Sequence, residues 1–261
     1  MPSPHLLIFD SGVGGLTIAA EIAASMPSAR LDFLCDNDFF PYGTKAEGLL
    51  IERVVEVVGA AVARLLPDLV VIACNSASTV ALARLRAEIK VPIVGTVPAV
   101  KPAAALSKTK AIGLLGTPGT VKRAYTQDLI DRFASGCAVV RVGSSELVAM
   151  AEAKLRDVPC DRARIATILA PFFGPLAQAP IDVVVLACTH FPLLMEELAA
   201  AASPGTLWID SGAAIARRVR ALMGEVSDGA PRESRRCVFF TQGNATDPRQ
   251  IAAFRRFGFS A

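Results

Sequence analysis

Two cysteines sit in matching surroundings. Val70-Val71-Ile72-Ala73-Cys74-Asn75-Ser76 and Val184-Val185-Leu186-Ala187-Cys188-Thr189-His190 each run from β-branched apolar residues through Ala-Cys to a polar pair. Both read as buried strands ending in a thiol, at the strand end where α/β folds build their sites. After Cys74, the run Asn75-Ser76-Ala77-Ser78-Thr79 opens a helix-like segment. The free N–H groups at a helix start attract anions and lower a neighbouring thiol's pKa from its ordinary ~8.5. Cys188 repeats the arrangement, with Thr189 and His190 beside it. His190 is one of only two histidines, the other being His5, and its place two residues after a strand-ending cysteine suits proton handling. Two such thiols fit a two-base exchange. One thiolate removes a proton from a carbon acid and the other thiol protonates the opposite face, inverting a stereocentre. The two must rest in opposite protonation states, which neighbouring Asp, Glu and His can set.

Other strand ends carry polar residues too. Asp10-Ser11-Gly12-Val13-Gly14-Gly15 follows Leu6-Leu7-Ile8-Phe9, and Asp210-Ser211-Gly212 follows Leu207-Trp208-Ile209, which reads as a second duplication. The first is not a G-x-G-x-x-G nucleotide fingerprint; its glycines permit close backbone approach, and Asp10 is a candidate acid or base. Gly116-Thr117-Pro118-Gly119-Thr120 offers hydroxyls and backbone donors, and Phe39-Phe40-Pro41-Tyr42-Gly43 is loop-like. The competing readings are plain: a tight strand-to-helix turn, a hydrophobic turn and inert buried cysteines.

The elements that must position these groups alternate along the chain. Short apolar runs at 6–10, 31–35, 69–74, 92–96, 111–116, 138–142, 182–188, 206–210 and 237–241 read as strands, with helical stretches such as Glu52–Leu66 between them. Continuous apolar runs suit strands covered on both faces, and the alternation predicts an α/β fold with largely parallel sheets. The duplicated motifs predict two pseudo-symmetric lobes, 1–97 with 208–261 and 98–207, sharing a cleft that holds the active site. Segment 225–236 reads as a polar surface loop.

Composition bounds the function classes. The 261 residues are 52% apolar and 20% charged, with net charge +3, and no apolar run reaches the ~20 residues of a membrane span. The start of the chain lacks a basic region and a signal-type apolar stretch, so a cytoplasmic protein is expected. Six cysteines without a C-x-x-C read as free thiols; Cys35, Cys137 and Cys237 are expected to be buried and structural. Arginines concentrate late, at Arg217, Arg218, Arg220, Arg232, Arg235, Arg236, Arg249, Arg255 and Arg256. Solvated helix faces and loops account for them better than a nucleic-acid surface does.

Taken in order, several pieces resemble glutamate racemases of the cofactor-independent aspartate/glutamate racemase superfamily. They are Phe9-Asp10-Ser11-Gly12-Val13-Gly14-Gly15-Leu16, Phe40-Pro41-Tyr42-Gly43, Ala73-Cys74-Asn75-Ser76-Ala77-Ser78, Gly116-Thr117-Pro118-Gly119-Thr120-Val121 and Cys188-Thr189-His190-Phe191-Pro192-Leu193-Leu194. The resemblance implies that Cys74 takes the α-proton of D-glutamate and Cys188 that of L-glutamate. It implies that Asp10 assists Cys74, while His190 and Glu152 assist Cys188. Ser11, Pro41, Tyr42, Gly43, Asn75, Ser76, Thr117, Thr120 and Thr189 match substrate-contacting positions. It implies no cofactor and no metal. Small departures (Ser76 for a usual Thr, Ala187 for Gly, Phe191 for Tyr) remove no catalytic group. The stretch Gly95–Ala103 looks like the branch that a muramoyl peptidoglycan precursor activates. The partners expected are therefore glutamate, that activator, and a second copy of the chain in a homodimer or monomer–dimer equilibrium, with no membrane and no nucleic acid. The role implied is supply of D-glutamate for peptidoglycan synthesis.

Three rival readings stay open at this level. One is racemisation of another acidic amino acid, chiefly aspartate, whose racemases usually carry Glu where His190 stands. Another is a metal site from Cys74, Cys188 and His190, although the usual close-spaced ligand pair is missing. The third is a two-lobed binding module in which the paired thiols are incidental.

Overall fold

The computed structural model describes residues 3–175, 177, 179–224, 235–243 and 246–261. Among them are nine strands: β1 (His5–Asp10), β2 (Arg30–Cys35), β3 (Leu69–Ile72), β4 (Ile93–Gly95), β5 (Ala111–Gly116), β6 (Ala138–Gly143), β7 (Val183–Ala187), β8 (Leu207–Ile209) and β9 (Arg236–Phe240). All nine expected strands are present, with no end shifted by more than two residues and β5 unchanged. The helices are α1 (Leu16–Ser25), α2 (Glu47–Leu65), α3 (Asn75–Glu88), α4 (Val100–Leu106), α5 (Pro118–Lys122), α6 (Ala124–Phe133), α7 (Glu146–Lys154), α8 (Arg162–Phe173), α9 (Met195–Ala200), α10 (Gly212–Met223) and α11 (Pro248–Arg256).

Two compact units emerge, one comprising the chain up to Thr96 with Gly212–Ala261, the other Val97–Ser211. The first holds a five-stranded parallel sheet in the order β4-β3-β1-β2-β9, the second a four-stranded parallel sheet in the order β6-β5-β7-β8. The expected boundary at 207/208 falls four residues too early. β8 pairs with β7, Val183 opposite Leu207, so it belongs to the second unit's sheet.

Read from β4, the first sheet runs β4-β3-β1-β2; read from its other edge, the second runs β8-β7-β5-β6. The two orders correspond strand for strand, with β9 added at one edge of the first. β3 therefore corresponds to β7, which supports the pairing of Cys74 with Cys188. The Asp-Ser-Gly duplication does not survive: β1 corresponds to β5, not to β8. Asp10-Ser11-Gly12 is matched in position by Gly116-Thr117-Pro118, and Asp210-Ser211-Gly212 merely repeats the letters at an edge strand.

Each sheet is covered by amphipathic helices. α2 buries Leu50, Val54, Val58 and Ala61, one helical stripe, against Leu7, Phe9, Val70 and Ile72 of the sheet. It ends where Leu66 turns left-handed, at φ 50°, just before Pro67. In the second unit, Ile112, Leu114, Val183 and Val185 pack with Val100, Ala103 and Ile130. Cys35 is buried as expected, whereas Cys137 and Cys237 are only half-buried: Cys137 precedes an edge strand, and Cys237 lies on another. Residues 225–234 of the expected loop lie outside the described residues, as does Arg232, and Arg236 already opens β9. Arg217, Arg218 and Arg220 are exposed on α10, and Arg249, Arg255 and Arg256 on α11. Among the described residues, no helix is long and apolar enough to cross a membrane.

Candidate active site

In both sheets the chain reverses direction at one strand. β1 is followed on one side by β2 and on the other by β3; β5 is followed on one side by β6 and on the other by β7. The crevice outside the carboxyl ends of strands at such a switch point is where open parallel sheets hold ligands. Each unit places one of the two cysteines at its switch point.

In the first unit, Phe9 lies opposite Ile72, and Ala73 N–H donates to Phe9 O at 2.9 Å. That register brings the turn after β1 alongside Cys74, with Ser11 Oγ 3.7 Å from Cys74 Sγ. Asp10 is fully buried, and its Oδ1 accepts the Gly12 N–H at 3.0 Å. β3 ends at Ile72, two residues short of the expected strand, because Cys74 takes the N-cap position of α3. Ser78 fixes that junction: its hydroxyl donates to Ile72 O at 3.3 Å and accepts the Thr96 N–H at 2.8 Å. Asn75 and Ser76 are buried in the first turn of α3. Among the described residues, Asn75 Nδ2 is buried without a hydrogen-bond partner. A buried N–H left unpaired costs about 1–3 kcal/mol, so a ligand oxygen here would relieve it. Tyr42 and Gly43 are buried in a 3-10 turn, while Pro41 before it is exposed.

In the second unit, Gly116 lies opposite Ala187, which sets Thr117 beside Cys188 along the strand ends. Thr117 caps α5, accepting the Thr120 N–H at 3.2 Å, and its hydroxyl meets that of Thr120 at 3.0 Å. Cys188 does not repeat the helix-start geometry of Cys74. A 3-10 turn, Phe191–Leu194 with a proline in its first turn, separates it from α9, and the residue preceding that turn is His190. The charged neighbour of Cys188 is thus an imidazole rather than a helix terminus. His190 Nδ1 lies 3.9 Å from Cys188 Sγ, and His190 Nε2 lies 2.8 Å from Glu152 Oε1 on α7. All three side chains are buried. Burial alone would push the imidazole pKa down; hydrogen bonds to Cys188 and Glu152, and their charges, prevail and hold it well above the ordinary value. Thr189 is buried next to them.

The structure thus assembles Asp10, Ser11, Cys74, Asn75 and Ser76 at one strand-end cluster, and Thr117, Thr120, Glu152, Cys188, Thr189 and His190 at the other. Sequence reasoning missed Asp36, which follows β2 directly and accepts the Tyr42 hydroxyl at 2.6 Å. Its signal was the same one that exposed Asp10: a polar residue ending an apolar strand. No group of three or more His, Cys, Asp or Glu side chains that could hold a metal ion occurs among the described residues.

A thiol beside a hydroxyl and a buried carboxylate, and a thiol backed by an imidazole–carboxylate pair, are both equipped to exchange protons. Known proteins carry the same architecture. A sequence model of the Asp/Glu/hydantoin racemase family matches residues 17–219. The glutamate racemase of Klebsiella pneumoniae is 47% identical over 258 residues, spanning 99% of this chain and 90% of its own. A crystal structure of Escherichia coli glutamate racemase in complex with L-glutamate and the activator UDP-MurNAc-Ala superposes with a TM-score of 0.90 at 45% identity, covering 99% of this chain and 96% of that one. The glutamate racemase isoform RacE1 of Bacillus anthracis gives a TM-score of 0.84 at 25% identity, covering 100% and 96%. With its family match and near full-length relatives, the chain belongs to the Asp/Glu/hydantoin racemase family.

Proposed function

We propose that the protein is a glutamate racemase that interconverts L- and D-glutamate by proton transfer between two cysteines. The observation that carries this reading is the correspondence of β3 with β7: two sheets of the same strand order each place a thiol just past the end of the equivalent strand. Relatives named glutamate racemase at 47% identity fix the substrate class.

In the D-to-L direction, Cys74 as thiolate takes the α-proton, leaving the electron pair on the α-carbon. Cys188 as thiol then delivers its proton to the opposite face. The result is L-glutamate, with Cys74 protonated and Cys188 ionised; the L-to-D direction runs in reverse. Asp10 handles protons at Cys74. On the other side His190, held protonated by Glu152, supplies positive charge beside Cys188 when that sulfur is the thiolate. The Asn75 amide N–H, together with Ser11, Ser76, Thr117, Thr120, Thr189 and the Pro41-Tyr42-Gly43 segment, supplies hydrogen bonds to the substrate. Glutamate is favoured over aspartate, whose shorter side chain would leave the distal donors unmet at about 1–3 kcal/mol each.

The reaction supplies D-glutamate for peptidoglycan synthesis in the cytoplasm. A muramoyl-alanine nucleotide activates it, as supported by the Gly95–Ala103 stretch and by the activator in the Escherichia coli structure. Homodimer or monomer–dimer equilibrium is the assembly expected. The test is circular dichroism of L- or D-glutamate with exhaustively dialysed protein, with and without UDP-MurNAc-Ala. Loss of optical activity from either enantiomer, slower for aspartate, is expected. Activity that needs added pyridoxal phosphate or zinc, or that is equal on aspartate, would overturn the reading.

A further inference from the structure

Asp36 is fully buried, yet it gathers donors from three other elements. Arg53 of α2 grips it with two bonds, Nε to Oδ2 at 2.9 Å and Nη2 to Oδ1 at 2.6 Å. The Tyr42 hydroxyl donates to Oδ2 at 2.6 Å, and the Thr241 hydroxyl, just past β9, to Oδ1 at 2.7 Å. Burial alone would raise this carboxyl's pKa; the bonds from Arg53, Tyr42 and Thr241 outweigh it and hold the group below the usual range.

A buried ion pair contributes little to stability against apolar residues of the same volume, so its presence calls for another role. The geometry gives one. Tyr42 is buried to 1% exposure, its ring edge-on to Phe39 at 6.0 Å and tilted against Phe9 at 6.2 Å. With its hydroxyl tied to Asp36, both ends of the side chain are fixed, and so is the turn Tyr42–Thr44 that carries it. Its phenol is pushed above its ordinary pKa by burial and by Asp36, and its side chain belongs to the same buried core cluster as Cys74.

We infer that Arg53 is a positioning residue for substrate binding: through Asp36 and Tyr42 it fixes the Pro41-Tyr42-Gly43 segment in register with Cys74. The inference rests on the reading of that segment as a substrate contact. Arg53 touches no reacting atom. Its planar fork bonds both oxygens of Asp36 at once, which a lysine ammonium cannot reproduce. A lysine would keep the charge that Asp36 needs but leave the carboxylate, and so Tyr42, less well held.

The experiment measures steady-state racemisation of L-glutamate by the full chain and by R53K, T241V, Y42F and the doubles R53K/Y42F and T241V/Y42F, with thermal melts of each. R53K is expected to raise KM about three- to tenfold, the size of one lost hydrogen bond, with kcat within about twofold. T241V should move KM the same way by less. On the Y42F background both effects should fall to within about twofold, because the route through Tyr42 is gone. If R53K does not fold, the T241V cycle alone decides. An unchanged KM, a fall in kcat alone, or an undiminished rise on the Y42F background would overturn the inference. An active wild type whose KM responds to Y42F but not to R53K or T241V would defeat this inference while leaving the site reading standing; a wild type inactive on glutamate would defeat both.

Discussion

At the scale of single residues, the two thiols are equivalent in strand position and different in surroundings. Cys74 caps α3 and faces Ser11, whereas Cys188 leans on His190 and Glu152. The raised pKa of His190 means that folding favours its protonated form. The stabilisation that results is complete below the unfolded imidazole value of about 6.5 and is lost as pH rises through the higher folded value. His190→Asn should therefore cost most stability at mildly acidic pH and progressively less on the alkaline side. Thermal melts of both proteins from about pH 6 to about pH 10 check this, and a cost that grows with pH would contradict it. Glu152→Gln removes a charge holding that proton, so the imidazole should titrate at lower pH by NMR, and racemisation should fall about 10²- to 10⁴-fold if His190 must be charged. Much of this was legible in the sequence, because a polar residue ending an apolar strand marks itself. Glu152 was not, since it stands in an ordinary helical stretch, Ala151-Glu152-Ala153, and only its resemblance to a family segment singled it out. The Asp36–Arg53 pair was hidden for another reason: its partners stand 17 residues apart and meet only once α2 packs on the sheet.

At the scale of elements, sheet order decides which motifs correspond. The strands were legible because runs such as Val183–Ala187 are buried on both faces and so read as continuously apolar. The repeated Asp-Ser-Gly letters misled because a tripeptide carries no information about strand order. The helix-start reading of Cys188 misled because a 3-10 turn, Phe191–Leu194, stands between it and α9, where a helix was expected. The glycines after Asp10 have a physical cause at Gly15, where α1 begins. A Cβ there would stand 2.7 Å from Asp10 Cβ and 2.9 Å from the Phe33 ring, inside contact distance of a buried backbone-proximal atom and a packed aromatic. Gly15→Ala should displace Asp10, cost about 1–3 kcal/mol of stability and lower racemisation together. Melting and steady-state kinetics of the variant check both. Wild-type stability combined with wild-type rate would mean that the close approach of α1 to β1 does not constrain Asp10.

At the scale of the molecule, two units carry corresponding sheets and one thiol each, and the duplicated Cys pattern in the sequence is the trace of that correspondence. Where the units divide was less legible, since short edge strands such as Leu207–Ile209 do not declare which sheet they join. The central claim is that the thiols serve opposite faces of one carbon. Cys→Ser replacements remove each base in turn, because an alcohol does not rest as its anion near neutral pH, and they change little volume. Either should reduce racemisation about 10²-fold or more. Each variant should still eliminate a β-leaving group from a glutamate analogue of one configuration. The decisive measurement is elimination from both enantiomers of such an analogue by both variants. Cys74→Ser should act on the L-enantiomer through Cys188, and Cys188→Ser on the D-enantiomer through Cys74. The same enantiomer preference in both variants, or near-normal racemisation by either, would contradict the two-base account.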